Sequence, residues 1–129
     1  MNALIAQYFD DIEARLIASP AISSYRILRR EVAPADGKLR VKAELNDGSI
    51  VELFEYVTES SGRIVKQKYS FHWQDARGNL VARWDNAPHH RDLPNAPHHS
   101  HPQDGSVRGI GGTMDMLTVI GEIEKGVSG

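Results

Sequence analysis

Histidines are concentrated in one part of this 129-residue chain, and histidine is the side chain best suited to proton transfer near neutral pH. The sequence contains six of them, and all fall between residues 72 and 101. Asn-Ala-Pro-His-His occurs twice, at 86–90 and 95–99, and His101 follows the second copy. Because an unperturbed imidazole has a pKa of about 6.5, two histidines can supply a neutral base and a charged acid together. The cluster therefore suggests acid–base catalysis.

Cleavage of RNA by its own 2′-hydroxyl group requires such a division of labour. A base takes the hydroxyl proton, an acid protonates the departing 5′-oxygen, and a fixed cation stabilises the phosphorane. A carboxylate can orient an imidazole, as it does in catalytic triads. The candidate proton-transfer and orienting residues are His72, Asp85, His89, His90, His98 and His99. The candidate cations that would hold RNA phosphates are Arg40, Lys42, Lys68 and Arg83.

A metal site is a second interpretation of the same histidines. His99 and His101 on an extended segment would place both rings on one side, and His98 or a nearby aspartate would complete the ligand set. Such a set would suit a divalent metal such as zinc or manganese, whereas acid–base catalysis needs no cofactor. The spacing matches no strong metal signature. A histidine- and proline-rich surface segment without catalytic function is therefore a third interpretation.

The overall charge is nearly balanced, with 15 basic and 17 acidic residues and a net charge of −2. This balance is unlike that of a dedicated nucleic-acid-binding protein, but residues 26–42 hold a local excess of bases that can steer a polyanion. The absence of cysteine excludes disulfides and thiolate metal sites. No apolar run approaches the roughly 20 residues that cross a bilayer, and the first residues lack the bases of a signal peptide. These features predict a cytoplasmic protein with no membrane partner.

The elements that must position these residues are two helices and a sheet. Apolar residues recur at helical spacing over residues 3–17, and Ser19-Pro20 ends this helix. From Ser24 to Asp85 the period changes to two, and short turns divide the segment into five strands of an antiparallel meander. A second helix follows Thr113, its expected N-cap. We therefore predict one α+β domain over residues 1–129, with both helices packed on one face of the sheet.

Residues 86–105 interrupt this periodicity and contain four of the six prolines. Proline breaks helices and central strands, so we predict a histidine- and proline-rich loop here. Such a long loop within a compact domain is uncommon unless it is functional or disordered. The meander also leaves an edge strand that can pair two copies into a homodimer.

The fourth and fifth strands present one apolar and one polar face. Tyr69, Phe71 and Trp73 form the apolar face, which we assign to the core rather than to base stacking. The opposite face is predicted to carry Lys66, Lys68, Ser70, His72, Arg83 and Asp85. His72 is the first candidate for catalysis, because a strand fixes the direction of its side chain.

Three segments around the histidines resemble a known protein family. They are Lys68-Tyr69-Ser70-Phe71-His72-Trp73-Gln74-Asp75, Arg83-Trp84-Asp85-Asn86-Ala87-Pro88-His89-His90 and Pro97-His98-His99-x-His101. Together with the order of helix, strands, histidine loop and final helix, they make the chain similar to the TumE family of toxin–antitoxin proteins. The motif positions that this resemblance carries over are His72, Asp85, His89, His90, His98, His99 and His101.

The resemblance implies a small prokaryotic toxin of a type II toxin–antitoxin system, which acts on RNA and is neutralised by a separately encoded antitoxin. The function expected from residues and resemblance together is an endoribonuclease, a hydrolase that binds and cleaves RNA by histidine acid–base catalysis. One alternative is a metal-dependent phosphodiesterase or nucleotide-modifying toxin with the histidines as ligands. Another is a non-catalytic binding module that docks a partner protein.

Overall fold

One antiparallel sheet connects the two helices of the chain. The computed structural model describes residues 2–86, 99–102, 108–109 and 115–127. The elements are α1 Ala3–Ala18, β1 Ile22–Val32, β2 Asp36–Leu45, β3 Ile50–Ser60, β4 Arg63–Gln74, β5 Leu80–Asp85, β6 His99–Pro102, β7 Arg108–Gly109 and α2 Met116–Gly126. The strands lie in chain order from β1 to β7. The predicted α+β meander of five strands is confirmed, and β6 and β7 extend it.

Helix α1 forms where the apolar spacing predicts it. The side chain of Asn2 caps its first turn by accepting a hydrogen bond from the Ile5 N–H at 3.0 Å. The helix ends at Ala18, one residue later than predicted, because the residue before Pro20 is excluded from helical geometry. Its buried side chains are Ile5, Phe9, Ile12 and Leu16. These four positions form the apolar stripe that packs on the sheet.

Helix α2 packs beside α1 on the same face of the sheet, as predicted. The two helices are joined at Glu124, whose carboxylate accepts hydrogen bonds from the Arg15 guanidinium at 2.6 Å and from the Ser19 hydroxyl at 2.7 Å. The bond from Arg15 lowers the pKa of Glu124. The N-cap of α2 is Asp115, which accepts from the Thr118 N–H at 2.7 Å. The predicted cap, Thr113, was therefore wrong and lies outside the described residues.

The core lies between the helices and one face of the sheet, which we call the covered face. Tyr69, Phe71 and Trp73 are all buried there, so their assignment to the core is confirmed. The Trp73 indole N–H donates to the Ser49 hydroxyl at 3.0 Å, which satisfies its polar atom inside the core. We call the opposite face, which neither helix packs against, the uncovered face.

A tight turn sets the register of β3 and β4. Ser61 and Gly62 have φ angles of 51° and 77°, the left-handed pair that a two-residue hairpin turn requires. Ser60 therefore pairs with Arg63 at the start of the ladder. A register shift between Tyr56 and Val57 then changes which β4 residues share a face.

This bulge corrects the predicted position of Lys66. Lys66 pairs with Val57, which is buried on the covered face. Its ammonium lies 3.9 Å from Asp115 and 5.6 Å from the Tyr8 ring centre, on the side of the helices. Strict alternation had placed Lys66 on the same face as Lys68. The extra residue in β4 removes it from that face.

Part of the predicted histidine loop is a strand. Residues 99–102 form β6, which pairs with β5, and Pro102 is its last residue. Proline at a strand end leaves most of the ladder hydrogen bonds intact. Most of the remaining predicted loop, residues 87–98 and 103–105, lies outside the described residues.

Candidate functional site

The uncovered face concentrates positive charge in a groove. The groove has a volume of about 390 Å³ and crosses β1 to β5. Its lining includes Arg29, Lys38, Arg40, Phe54, Lys68, Ser70, Arg83 and Asp85. Tyr69 completes the nine lining residues, of which five are basic and one is acidic, so the groove suits an anionic ligand.

Strand alternation brings the cations of β2 to this face. Leu39 and Val41 are fully buried on the covered face. Because successive side chains of a strand point to opposite faces, Lys38, Arg40 and Lys42 lie on the uncovered one. Three of the four predicted phosphate-binding cations, Arg40, Lys68 and Arg83, line the groove, and Lys42 lies beside it.

The strand register aligns the candidate residues in two adjacent rows. The first, which we call the Phe54 row, runs Arg29, Arg40, Phe54, Ser70, Asp85 and His99. The second, the His72 row, runs Arg26, Lys42, Glu52, His72, Arg83 and His101. His99 and His101 enter these rows as backbone register positions of β6. Residues far apart in the sequence thus share a narrow band of the sheet.

Arg40 is held in place by contacts on both sides. Its guanidinium carbon lies 4.5 Å from the centre of the Phe54 ring, and its Nη1 donates to Glu52 Oε2 at 3.1 Å. The next β2 cation repeats the arrangement, because the Lys38 ammonium lies 5.5 Å from the centre of the Tyr56 ring. Cation–π contacts of this kind stabilise a guanidinium or ammonium without neutralising it.

His72 is half-buried and lies next to the groove. It lines a smaller depression of about 150 Å³ with Lys42, Glu52 and Gln74. Its register partner on β5 is Arg83, a groove cation. Directly opposed residues have Cβ atoms about 5 Å apart, so the side chains of His72 and Arg83 leave the sheet next to each other on the uncovered face.

Asp85 is buried at the end of β5, with 3% of its side chain exposed. Its Oδ2 atom lies 3.1 Å from Arg83 Nε, so the described ion pair of this carboxylate fixes a groove cation. Asp85 is diagonal to His72 across the β4–β5 ladder, about 7 Å away at the backbone. That Asp85 orients an imidazole stays a prediction.

The remaining candidate histidines are described only in part. His89, His90 and His98 lie outside the described residues. His99 and His101 are known through backbone pairing with Asp85 and Arg83. Among the residues with described side chains, no three His, Asp or Glu residues are grouped to hold a metal ion. The predicted metal set lies beyond these side chains and stays a prediction.

A second cluster of polar groups, which the sequence pattern did not predict, lies under the helices. Glu55 of β3 is fully buried on the covered face. Its carboxylate accepts hydrogen bonds from the Tyr8 hydroxyl at 2.6 Å and from the Met116 N–H at 2.5 Å. These bonds join α1, the sheet and the first turn of α2. An acid at an inward position of an apolar strand was the available signal.

Burial changes the proton affinity of this cluster. Desolvation raises the pKa of Glu55 to about 7, although the bonds from Tyr8 and Met116 act in the opposite direction. Burial and the Glu55 charge also raise the pKa of the Tyr8 hydroxyl, which therefore stays a donor. The cluster lies on the covered face of the sheet, and the groove lies on the uncovered face. Its geometry indicates an anchor for α2.

The groove also contains residues that the sequence did not single out individually. Arg29, Lys38 and Phe54 line it, but none was among the candidate residues. The local excess of bases in residues 26–42 was the signal for the two cations. The apolar character of both faces of β3 was the signal for Phe54.

A comparison with models of protein families identifies the family of this chain. The family described as Toxin TumE matches residues 12–126, which is most of the chain. The chain belongs to the TumE toxin family. TumE membership implies a toxin of a toxin–antitoxin system and a cognate antitoxin as its partner.

The other comparisons give no further relatives of this TumE-family chain. No curated protein and no solved structure matches it significantly. Neither helix in the described part of the chain is long and apolar enough to cross a membrane.

Proposed function

We propose that this TumE-family toxin is an endoribonuclease that binds RNA across the uncovered face and cleaves it by histidine acid–base catalysis without a metal. The observation that carries the proposal is the pair of adjacent rows, in which His72 is next to a groove cation. The substrate would be RNA of the cytoplasm, and the cognate antitoxin would control access to it.

Binding would depend on the groove cations. Lys68 has no ion-pair partner among the described residues, so its full charge is available to a phosphate. Arg83 is held by Asp85, which points a fixed guanidinium along the sheet. Each phosphate neutralised by such a cation releases counterions, so RNA affinity should fall steeply with salt.

Catalysis would divide the proton transfers between His72 and a second histidine. One imidazole would take the proton of the 2′-hydroxyl, and the 2′-oxygen would attack the adjacent phosphorus. The other imidazole would protonate the 5′-oxygen as its bond to phosphorus breaks, leaving a 2′,3′-cyclic phosphate and a 5′-hydroxyl. The second histidine would come from His89, His90, His98 or His99. Arg83 and Lys68 would stabilise the negative phosphorane.

Incubation of tag-free protein with total RNA, with and without EDTA, tests this proposal. We expect cleavage that survives EDTA and yields cyclic phosphate ends. The His72→Ala variant should lose about 10²- to 10⁴-fold in rate, the usual contribution of a proton-transfer residue. Gln67→Ala is the matched control, because Gln67 is an exposed polar residue of the same strand outside the groove lining.

Three outcomes would contradict the proposal in different ways. Cleavage that disappears with EDTA would make the histidines metal ligands. Full activity of His72→Ala would exclude His72 from proton transfer. A folded protein that cleaves no RNA under any condition would favour the non-catalytic binding module.

A further inference from the structure

Two aromatic side chains on the uncovered face are placed where a nucleic acid would meet them. Phe54 and Tyr56 alternate with the buried positions of β3, so they share the face of the groove cations. Each is opposite a cation of β2, Phe54 opposite Arg40 and Tyr56 opposite Lys38. Phe54 is half-buried and lines the groove itself. An aromatic ring beside a groove cation can hold a base by stacking and a phosphate by charge.

The spacing of the two rings restricts the form of the nucleic acid. They are two residues apart on one strand, which corresponds to about 6.8 Å. Neighbouring bases along one strand of a helix are about 3.4 Å apart, which is half the backbone spacing of the two aromatic residues. In a duplex the base faces are also covered by their neighbours. Bases that are splayed apart in a single strand can reach such rings.

The surroundings of Phe54 position a backbone on each side of a stacked base. Arg40 lies against the ring at 4.5 Å, and Ser70 is the register partner of Phe54 on β4. Lys68 pairs with Tyr56 on one side of the Phe54 row, Arg83 pairs with His72 on the other side, and both line the groove. A base at Phe54 would therefore have cations on both sides for its flanking phosphates.

We infer that the groove binds single-stranded RNA, with one unpaired base stacked on the Phe54–Arg40 pair and its flanking phosphates held by Lys68 and Arg83. The inference rests on the proposed function and specifies its substrate class. It assigns Phe54 as a binding residue that fixes which nucleotide lies beside His72.

Fluorescence anisotropy with two labelled RNAs tests the inference. The probes are a short 2′-O-methyl RNA strand of mixed sequence and the blunt duplex of the same sequence. The methyl groups remove the nucleophile, so the wild-type protein binds without cleaving. We expect the single strand to bind at least about tenfold more tightly than the duplex.

Variants at Phe54 separate stacking from charge. Phe54→Leu should weaken single-strand binding by about 5- to 100-fold at every salt concentration, because the lost ring carries no charge. Phe54→Trp should restore tight binding. Leu4→Ala is the matched control, since Leu4 is an exposed apolar residue of α1 on the other side of the sheet. Circular dichroism melting of each variant verifies that it is folded.

The outcomes distinguish this inference from the proposed function. If the duplex binds as tightly as the single strand, or if folded Phe54→Leu binds like wild type, the inference is wrong while the endoribonuclease proposal stands. If neither RNA binds at low salt, the proposed function itself fails.

Discussion

Two neighbouring residues of β3 reverse the usual distribution of polar and apolar side chains. Glu55 points to the covered face and is fully buried, whereas Phe54 points to the uncovered face and lines the groove. Acids are almost never fully buried unless they are paired, and aromatic rings usually contribute to a core. Each exception has a local reason. Glu55 anchors two helices, and Phe54 presents a ring to the groove.

The two faces also handle charge differently. On the covered face, one carboxylate is surrounded by donors and shielded from water. On the uncovered face, several cations remain partly exposed, including Arg40 at 38% and Arg83 at 45%. Buried polar groups affect stability strongly, while exposed charges affect it little and are screened by salt. Mutations on the covered face should therefore change folding, and those on the uncovered face should change binding.

Glu55→Ala gives the largest expected change in stability. It leaves the Tyr8 hydroxyl and the Met116 N–H without their buried acceptor and creates a cavity. We expect the free energy of unfolding in urea to fall by about 3 kcal/mol or more. Glu52→Ala is the matched control on the same strand. It breaks an exposed ion pair with Arg40 and should change stability by less than about 1 kcal/mol. Equal losses for both variants would contradict the difference between the faces.

The pH dependence of stability provides a second comparison. The pKa of the Glu55 carboxyl is about 7 in the folded protein and about 4.5 in the unfolded chain. Between pH 4.5 and 7, the folded protein therefore keeps a proton on Glu55 that the unfolded chain has released. Its contribution to stability is complete below about pH 4.5 and decreases as the pH rises towards 7. At about 1.4 kcal/mol per pKa unit, the decrease amounts to about 3 kcal/mol.

Subtracting the Glu55→Gln profile from the wild-type profile isolates this effect from other titrating groups. Urea unfolding midpoints measured across this pH range supply both profiles. The difference should slope downward with pH. A flat difference would show that Glu55 is ionised in the folded protein throughout.

Alanine substitutions at two glycines of α2 test how tightly this helix packs on the covered face. A Cβ atom at Gly126 would lie 2.5 Å from the Trp73 ring, so Gly126→Ala should destabilise the protein by about 1–3 kcal/mol. At Gly121 a Cβ atom would meet nothing within 4 Å. Gly121→Ala should therefore stabilise the helix by about 0.5–1 kcal/mol. Thermal melting compares the two, and changes of the same sign would contradict the described packing of α2.

Arg40→Ala gives the smallest expected change in stability and the clearest change in binding. Its exposed ion pair contributes less than about 1 kcal/mol to folding. The affinity for single-stranded RNA should fall, and the slope of its logarithm against log salt should decrease by about 1. Arg77→Ala, in the exposed β4–β5 turn, is the control and should leave the RNA affinity and its salt slope unchanged. An unchanged slope for Arg40→Ala would mean that Arg40 contacts no phosphate.

Local patterns in the sequence predicted the helices and strands, but they did not always predict which face of the sheet a side chain occupies. Helical spacing located α1 within one residue, and alternation assigned Tyr69, Phe71 and Trp73 to the core. Alternation failed at Lys66, because an extra bulged residue changes the face without leaving a mark in composition.

The candidate site was harder to predict because it depends on register and on distant partners. Arg29 and Phe54 join the groove only through the pairing of neighbouring strands. Glu55 meets Met116 across 61 positions of the chain, and no local pattern contains that contact. The histidine cluster was visible in the composition, but its division into proton donor and acceptor requires side-chain positions beyond the described residues.

The strict chain order of the sheet has a consequence for the speed of folding. Each long strand pairs with the strand before it, so β1 to β5 can form by successive closure of short loops. Closing a short loop costs less conformational entropy than closing a long one. Docking of α2 is the exception, since it closes the long segment between Glu55 and Met116. The sheet should therefore form early and α2 should dock late. Fluorescence of Trp73, whose ring lies against Gly126, would follow that last step.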